Sequence, residues 1–123
     1  MPLANESHMR IPVEVTYRGL EPSSAIEEAI DKRVATLERF YDRITGCKVS
    51  VEAPHRSHRR GIRFRVRVDL TIPGAEIIAH SHDEDGAHED LHVAIRDAFR
   101  ACRRQLQDEV RLQRGYVKAP AEA

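Results

Sequence analysis

The chain has 123 residues, 41% of them apolar, with 20 basic and 20 acidic side chains that cancel at pH 7. This is enough for one domain around one core and too little for two. A balanced charge gives no global sign of a nucleic-acid binder, no stretch is apolar enough for a membrane span, and the opening MPLANESHMR lacks the apolar centre of a secretion signal, so a cytoplasmic protein with no membrane partner is expected.

Residues 1–9 have no periodicity and read as a flexible leader to a domain over 10–114. Ile11, Val13 and Val15 alternate with Pro12, Glu14 and Thr16 as a half-buried strand, and Pro12 suits an edge. Ser24-Ala25-Ile26-Glu27 reads as a capping box opening a helix over 24–42, with Ile26, Ile30, Val34, Leu37 and Tyr41 on its apolar line. Cys47, Val49 and Val51 alternate as a second strand ending near Pro54, and a polar loop follows from His55 to Gly61. The third strand has Ile62, Phe64, Val66, Val68 and Leu70 on one face and Arg63, Arg65, Arg67 and Asp69 on the other, as expected of a sheet dry on one side and wet on the other. Pro73-Gly74 makes the tight turn of a hairpin, and Ala75 to Ala79 return as the fourth strand.

An acidic connection from His80 to Gly86 leads to a second helix over about 87–112, on the apolar line Leu91, Ile95, Phe99, Cys102, Leu106 and Val110. Residues 115–123 break the period and read as a flexible tail. Cys47 and Cys102 both point inward and read as reduced core thiols rather than a disulfide. A right-handed crossover makes the first two strands parallel and the hairpins make the rest antiparallel. The fold expected is α+β, a two-layer β-α-β-β-β-α sandwich with a four-stranded mixed sheet and two helices on one face.

The helices carry sorted charge. At about 100° per residue, Lys32, Thr36, Arg39 and Arg43 fall on one flank of the first helix and Glu27, Asp31, Glu38 and Asp42 on the other. On the second, His92, Arg96, Arg100, Arg103, Arg111 and Arg114 share a flank, with Asp90, Asp97 and Asp108 across from it. The basic flanks are displaced in opposite senses from the two apolar lines, so parallel neighbouring helices would turn both toward one groove, which the Arg59-Arg60 loop could extend. The competing reading is that the charges solvate the helices through i,i+4 pairs. Of the basic residues 17 are Arg and 3 are Lys, a bias toward the planar fork that grips phosphates, though a high-GC genome accounts for at least half of it. The outward Arg63, Arg65 and Arg67 ladder is a second candidate face, for a protein partner, unless cross-strand residues such as Glu14 and Glu52 neutralise it.

His88 to His92 read HEDLH, a match to the H-E-x-x-H zinc-hydrolase pattern. With 7 His and 12 Glu in the chain, chance placement yields such a match in about 4 of 100 sequences. His88 lies near the apolar line and His92 beside the Arg stripe, so the turn is expected to pack against the sheet. His80, His82 and Asp83 are the nearby residues that could complete a site. No phosphate loop, nucleophile elbow or activated cysteine occurs. The expectation is a binding protein with no catalytic residues, no metal, no cofactor and no small-molecule substrate.

Three segments then carry a resemblance: Leu37-Glu38-Arg39-Phe40-Tyr41-Asp42-Arg43-Ile44, Gly74-Ala75-Glu76-Ile77-Ile78-Ala79-His80, and Ala94-Ile95-Arg96-Asp97 leading to Arg103-Arg104-Gln105-Leu106. In order and spacing, from about Arg10 to Leu112, the chain resembles the ribosome hibernation-promoting factor and ribosome-associated inhibitor A family. The resemblance implies the β-α-β-β-β-α fold and binding to small-subunit rRNA near the decoding region, across the messenger and transfer RNA sites, so that translation stops under stress. It assigns Lys32, Arg39 and Arg43 to the first helix's contacts and Arg96, Arg100, Arg103 and Arg104 to the second's, with the small ribosomal subunit as partner. The sequence departs from the family after Leu106, where QDEVRLQRG is less basic than the lysine-rich end of short members, and at His92, where an aromatic residue is common.

Overall fold

A computed structural model describes residues 11–53, 56–57, 61–62, 64–81 and 90–122, the side chains of 56–57, 61–62 and 116–122 excepted. The elements are β1 (Val13–Arg18), α1 (Ser24–Phe40), β2 (Gly46–Glu52), β3 (Arg56–Ser57), β4 (Gly61–Ile62), β5 (Arg65–Ile72), β6 (Ala75–His80) and α2 (Leu91–Glu122). Four strands form one sheet in the order β1-β2-β5-β6, with β1 and β2 parallel and the other pairs antiparallel. This is the mixed sheet expected from a crossover followed by hairpins.

Alternation puts Val49, Val51, Val66, Val68, Leu70, Ile77 and Ala79 on one sheet face, in a single core cluster with Ile30, Val34 and Leu37 of α1 and Ala94, Ile95, Ala98, Cys102 and Leu106 of α2. Both helices therefore cover the same face, and α2 lies over β5 and β6. Ala94 and Ala98 are wholly buried, and their small side chains let this long helix approach the sheet closely. Cys47 and Cys102 are buried free thiols, as expected.

Several boundaries differ from the sequence reading. The α1 cap is Ser23, one residue earlier than expected: its hydroxyl accepts from the Ile26 N–H at 3.3 Å while the Glu27 N–H reaches the Ser23 carbonyl. The third residue past the cap is thus Ile26, a core residue, so no reciprocal box forms. The helix ends at Phe40, and Tyr41 is already extended. The third strand breaks in two because β2 ends at Glu52, whose partner is Arg65, so Ile62 pairs instead with Arg56 in a separate β3-β4 ribbon. The fourth strand gains His80, paired with Arg67, and the sheet end is closed by Ser81, whose hydroxyl accepts from the Val66 N–H at 3.1 Å. Helix α2 begins at Leu91, not near Ala87, and continues to Glu122, past the expected end at Leu112. Gln113 holds this extension against the β5–β6 turn by donating to the Pro73 carbonyl at 3.2 Å.

Candidate nucleic-acid interface between the helices

The two helices run parallel and side by side. Near its start α1 shares a groove of ≈ 410 Å³ with His92, lined on the α1 side by Ala25, Glu28, Ala29, Lys32, Arg33 and Thr36. At its end a second groove of ≈ 490 Å³ is lined by Arg39, Phe40, Asp42 and Arg43 together with Val110, Gln113 and Arg114 of α2. Between the two, the guanidinium of Arg103 sits over the Phe40 ring, 5.2 Å from its centroid. The seam between the helices thus carries cations from both, with one acid in each groove, Glu28 above and Asp42 below.

Placement of the individual residues follows from the helical repeat. Lys32, Arg39 and Arg43 are exposed and line the seam from the α1 side. From α2, Arg103 reaches it directly, while Arg96 falls on the same flank two turns earlier. Arg96 is half-buried, with its Nε shielded from solvent, without a hydrogen bond, and 3.6 Å from an Asp97 carboxylate oxygen. Arg100 is exposed about 40° beyond Arg96, on the outer crest. Arg104 is exposed and turned about 100° from Arg103, about 40° beyond Arg100, so it faces outward from the seam. Arg59 and Arg60 lie outside the described residues.

The charge sorting is less clean than the helical wheel implies. Asp42, expected on the acidic flank, lines the lower groove beside Arg39 and Arg43 because the chain has left the helix after Phe40. Asp108, expected opposite the basic stripe, lies 3.6 Å from Arg111 as an exposed i,i+3 pair, an arrangement worth at most about 1 kcal/mol. Of the acidic residues in the first turns of α1, Glu27 and Asp31 line neither groove, whereas Glu28 lines the upper one beside Lys32 and Arg33. Burial, followed by the nearby Glu27 and Glu28, raises the Asp31 pKa. The sequence reading missed two seam residues, Arg33 and Phe40. The spacing of Arg33 from Phe40, two helical turns, was the available signal.

The outer sheet face bears the second candidate. Arg67 is engaged by Asp69 on its own strand, through bonds of 2.8 and 3.2 Å, and Arg65 stands opposite Glu52 in register. Glu14, however, faces Lys48 and not an arginine. Arg63 lies outside the described residues. A hollow of ≈ 810 Å³ at this sheet end is lined by Thr16, Ser50, Arg67 and His80 among others.

Of HEDLH, residues Asp90, Leu91 and His92 are described. Asp90 precedes the helix and caps it, its carboxylate accepting from the His92 N–H at 2.9 Å. His92 is exposed and borders the upper groove beside Lys32 and Arg33, and Leu91 packs against the core, while His88, expected near the apolar line, lies outside the described residues. No group of three or more metal-ligating side chains occurs among the described residues. Among those residues, too, no helix is long and apolar enough to cross a membrane.

Residues 13–113 match the family described as Sigma 54 modulation protein / S30EA ribosomal protein. The chain belongs to this family. A ribosome hibernation promotion factor of Deinococcus radiodurans is 30% identical over 95 residues, covering 76% of this chain and 46% of the relative. The chain thus spans about half the length of that curated relative. A ribosome hibernation promoting factor of Azotobacter vinelandii is 25% identical over 113 residues, covering 90% of this chain and 95% of the relative. Among solved structures, a ribosomal subunit interface protein of Coxiella burnetii superposes with TM-score 0.66 at 16% identity, over 80% of this chain and 97% of that one. The Thermus thermophilus Protein Y N-terminal domain superposes with TM-score 0.62 at 23% identity, over 77% and 93% of the two chains. These likenesses show that this S30EA-family chain has the α+β fold of ribosomal interface proteins.

Proposed function

We propose that this protein is a cytoplasmic, non-enzymatic translation inhibitor. It binds small-subunit rRNA near the decoding region and thereby blocks the messenger and transfer RNA sites under stress. The observation that carries this reading is the seam between α1 and α2, where Lys32 and Arg33 share an upper groove with His92, Arg39 and Arg43 share a lower one with Arg114, and Arg103 stands over Phe40. Within a neutral chain such local concentration of guanidinium groups suits phosphate oxygens. Family membership and relatives named as hibernation factors support the same reading. The sheet-face alternative has less support, since Asp69 pairs with the Arg67 guanidinium through two hydrogen bonds and offsets its charge.

Co-sedimentation with purified small ribosomal subunits tests the proposal. The wild-type chain is expected to pellet with the subunits and to dissociate as salt rises, because phosphate contacts release counterions. Joint replacement of Arg96, Arg100 and Arg103 by Glu is expected to abolish pelleting while leaving the circular dichroism spectrum unchanged. A folded triple variant that still pellets would eliminate this surface.

A further inference from the structure

Phe40 is an anomaly in a chain with only 3 Phe, 3 Tyr and no Trp. It occupies the last helical position of α1, yet it is 37% exposed while Leu37, one turn earlier, is 2% exposed. A core role would bury the ring and a purely solvating role would not call for one. Its neighbours are cationic: Arg103 lies over the ring at 5.2 Å, and the groove beside it is walled by Arg39, Arg43 and Arg114, with Asp42 as the one acid among its lining residues. Tyr41 and Val110 add apolar surface to the same groove.

We infer that this groove holds an unpaired nucleobase, stacked against the exposed part of the Phe40 ring and the Arg103 guanidinium while the flanking arginines take the adjoining phosphates. The inference deepens the function proposed above and rests on it. The physical argument is complementarity of two kinds. An aromatic ring and a planar guanidinium both offer flat faces to a base, whatever its sequence. A surface with several cations and one acid favours a polyanion over an acidic or neutral protein segment. An accessible base implies a single-stranded or looped stretch of RNA, because paired bases present only their edges.

Two variants separate this inference from the broader reading. Phe40→Leu keeps apolar volume and removes the π face, and Phe40→Trp keeps the face and introduces the chain's sole tryptophan. With small ribosomal subunits, Phe40→Leu is expected to bind about 5- to 30-fold more weakly, with its salt dependence unchanged and its thermal melt within a few degrees of wild type, in keeping with the size of single base stacks. Phe40→Trp is expected to bind as the wild type does, and its emission is expected to be quenched by a 12-nucleotide single-stranded RNA but not by a duplex of equal length. Equal subunit binding by wild type and Phe40→Leu would overturn the stacking inference alone. Weakened binding by Phe40→Leu with no quenching of Phe40→Trp would also overturn it, since the ring would then meet ribosomal protein. Failure of the wild type itself to bind subunits would bring down both.

Discussion

The Arg103 guanidinium on α2 stands over the ring of Phe40 at the end of α1, with 5.2 Å between its central carbon and the ring centroid. At an exposed site such a contact contributes about 0.5–1 kcal/mol. Its larger consequence is directional, because it turns Arg103 toward the seam shared by the helices, whereas Arg104, exposed and about 100° further round the helix, faces outward.

Adjacent arginines should therefore differ in effect. Arg103→Glu is expected to weaken small-subunit binding by at least tenfold and to lower the slope of log affinity against log salt by about 1, the mark of a lost phosphate contact. Arg104→Glu is expected to weaken binding several-fold less. Equal losses, measured by titration at several salt concentrations, would contradict the asymmetry of the seam.

Gly19 marks a tight approach between the ends of β1 and β2. Its φ is +80°, and a Cβ there would run into the Ala53 carbonyl oxygen, beside the bond from the Ala53 N–H to the Arg18 carbonyl. Gly19→Ala is expected to destabilise the fold by about 2–4 kcal/mol, from left-handed strain plus the clash. A urea midpoint unchanged from wild type would be inconsistent with this backbone geometry.

The helix cap can be assigned by neighbouring substitutions. Ser23→Ala removes the acceptor for the Ile26 N–H and is expected to cost about 1 kcal/mol, while Ser24→Ala, at the first helical position, is expected to cost less than about 0.5 kcal/mol. Urea denaturation of the two variants decides between Ser23 and Ser24 as the start of α1.

The buried thiols predict an alkaline weakness. Loss of hydration, then the charge of Asp69, pushes Cys47 up to about 12, and loss of hydration, then Cys47 and Asp69, pushes Cys102 up to about 12, both from 9.0. The folded state thus favours the neutral thiol, so this contribution is complete below pH 9 and is lost as pH rises from about 9 toward about 12. Stability to urea is expected to fall between pH 8.5 and pH 10.5 by more in the wild type than in a Cys47→Ala/Cys102→Ala variant, and iodoacetamide is expected to leave both native thiols unmodified at pH 8. Rapid native-state alkylation would contradict the burial.

The layers of this protein are legible in its sequence because they depend on short-range periodicity. The two-residue alternation of Val66, Val68 and Leu70, the Pro73-Gly74 turn and the line from Leu91 to Val110 each constrain their own element, and hydrophobic burial leaves one arrangement of them around one core. Sorted charge on each helix is equally local. What the sequence leaves open are quantities fixed by partners distant in the chain. The main-sheet strand starts only at Arg65, and Ile62 belongs to a separate ribbon, because β2 stops at Glu52, the partner of Arg65. Asp42 joins the basic groove because the helix ends two residues earlier. The meeting of Phe40 with Arg103, and the turning away of Arg104, depend on how far each helix is rotated about its own axis, and only close packing of Leu37, Cys102 and Leu106 over the sheet determines that angle.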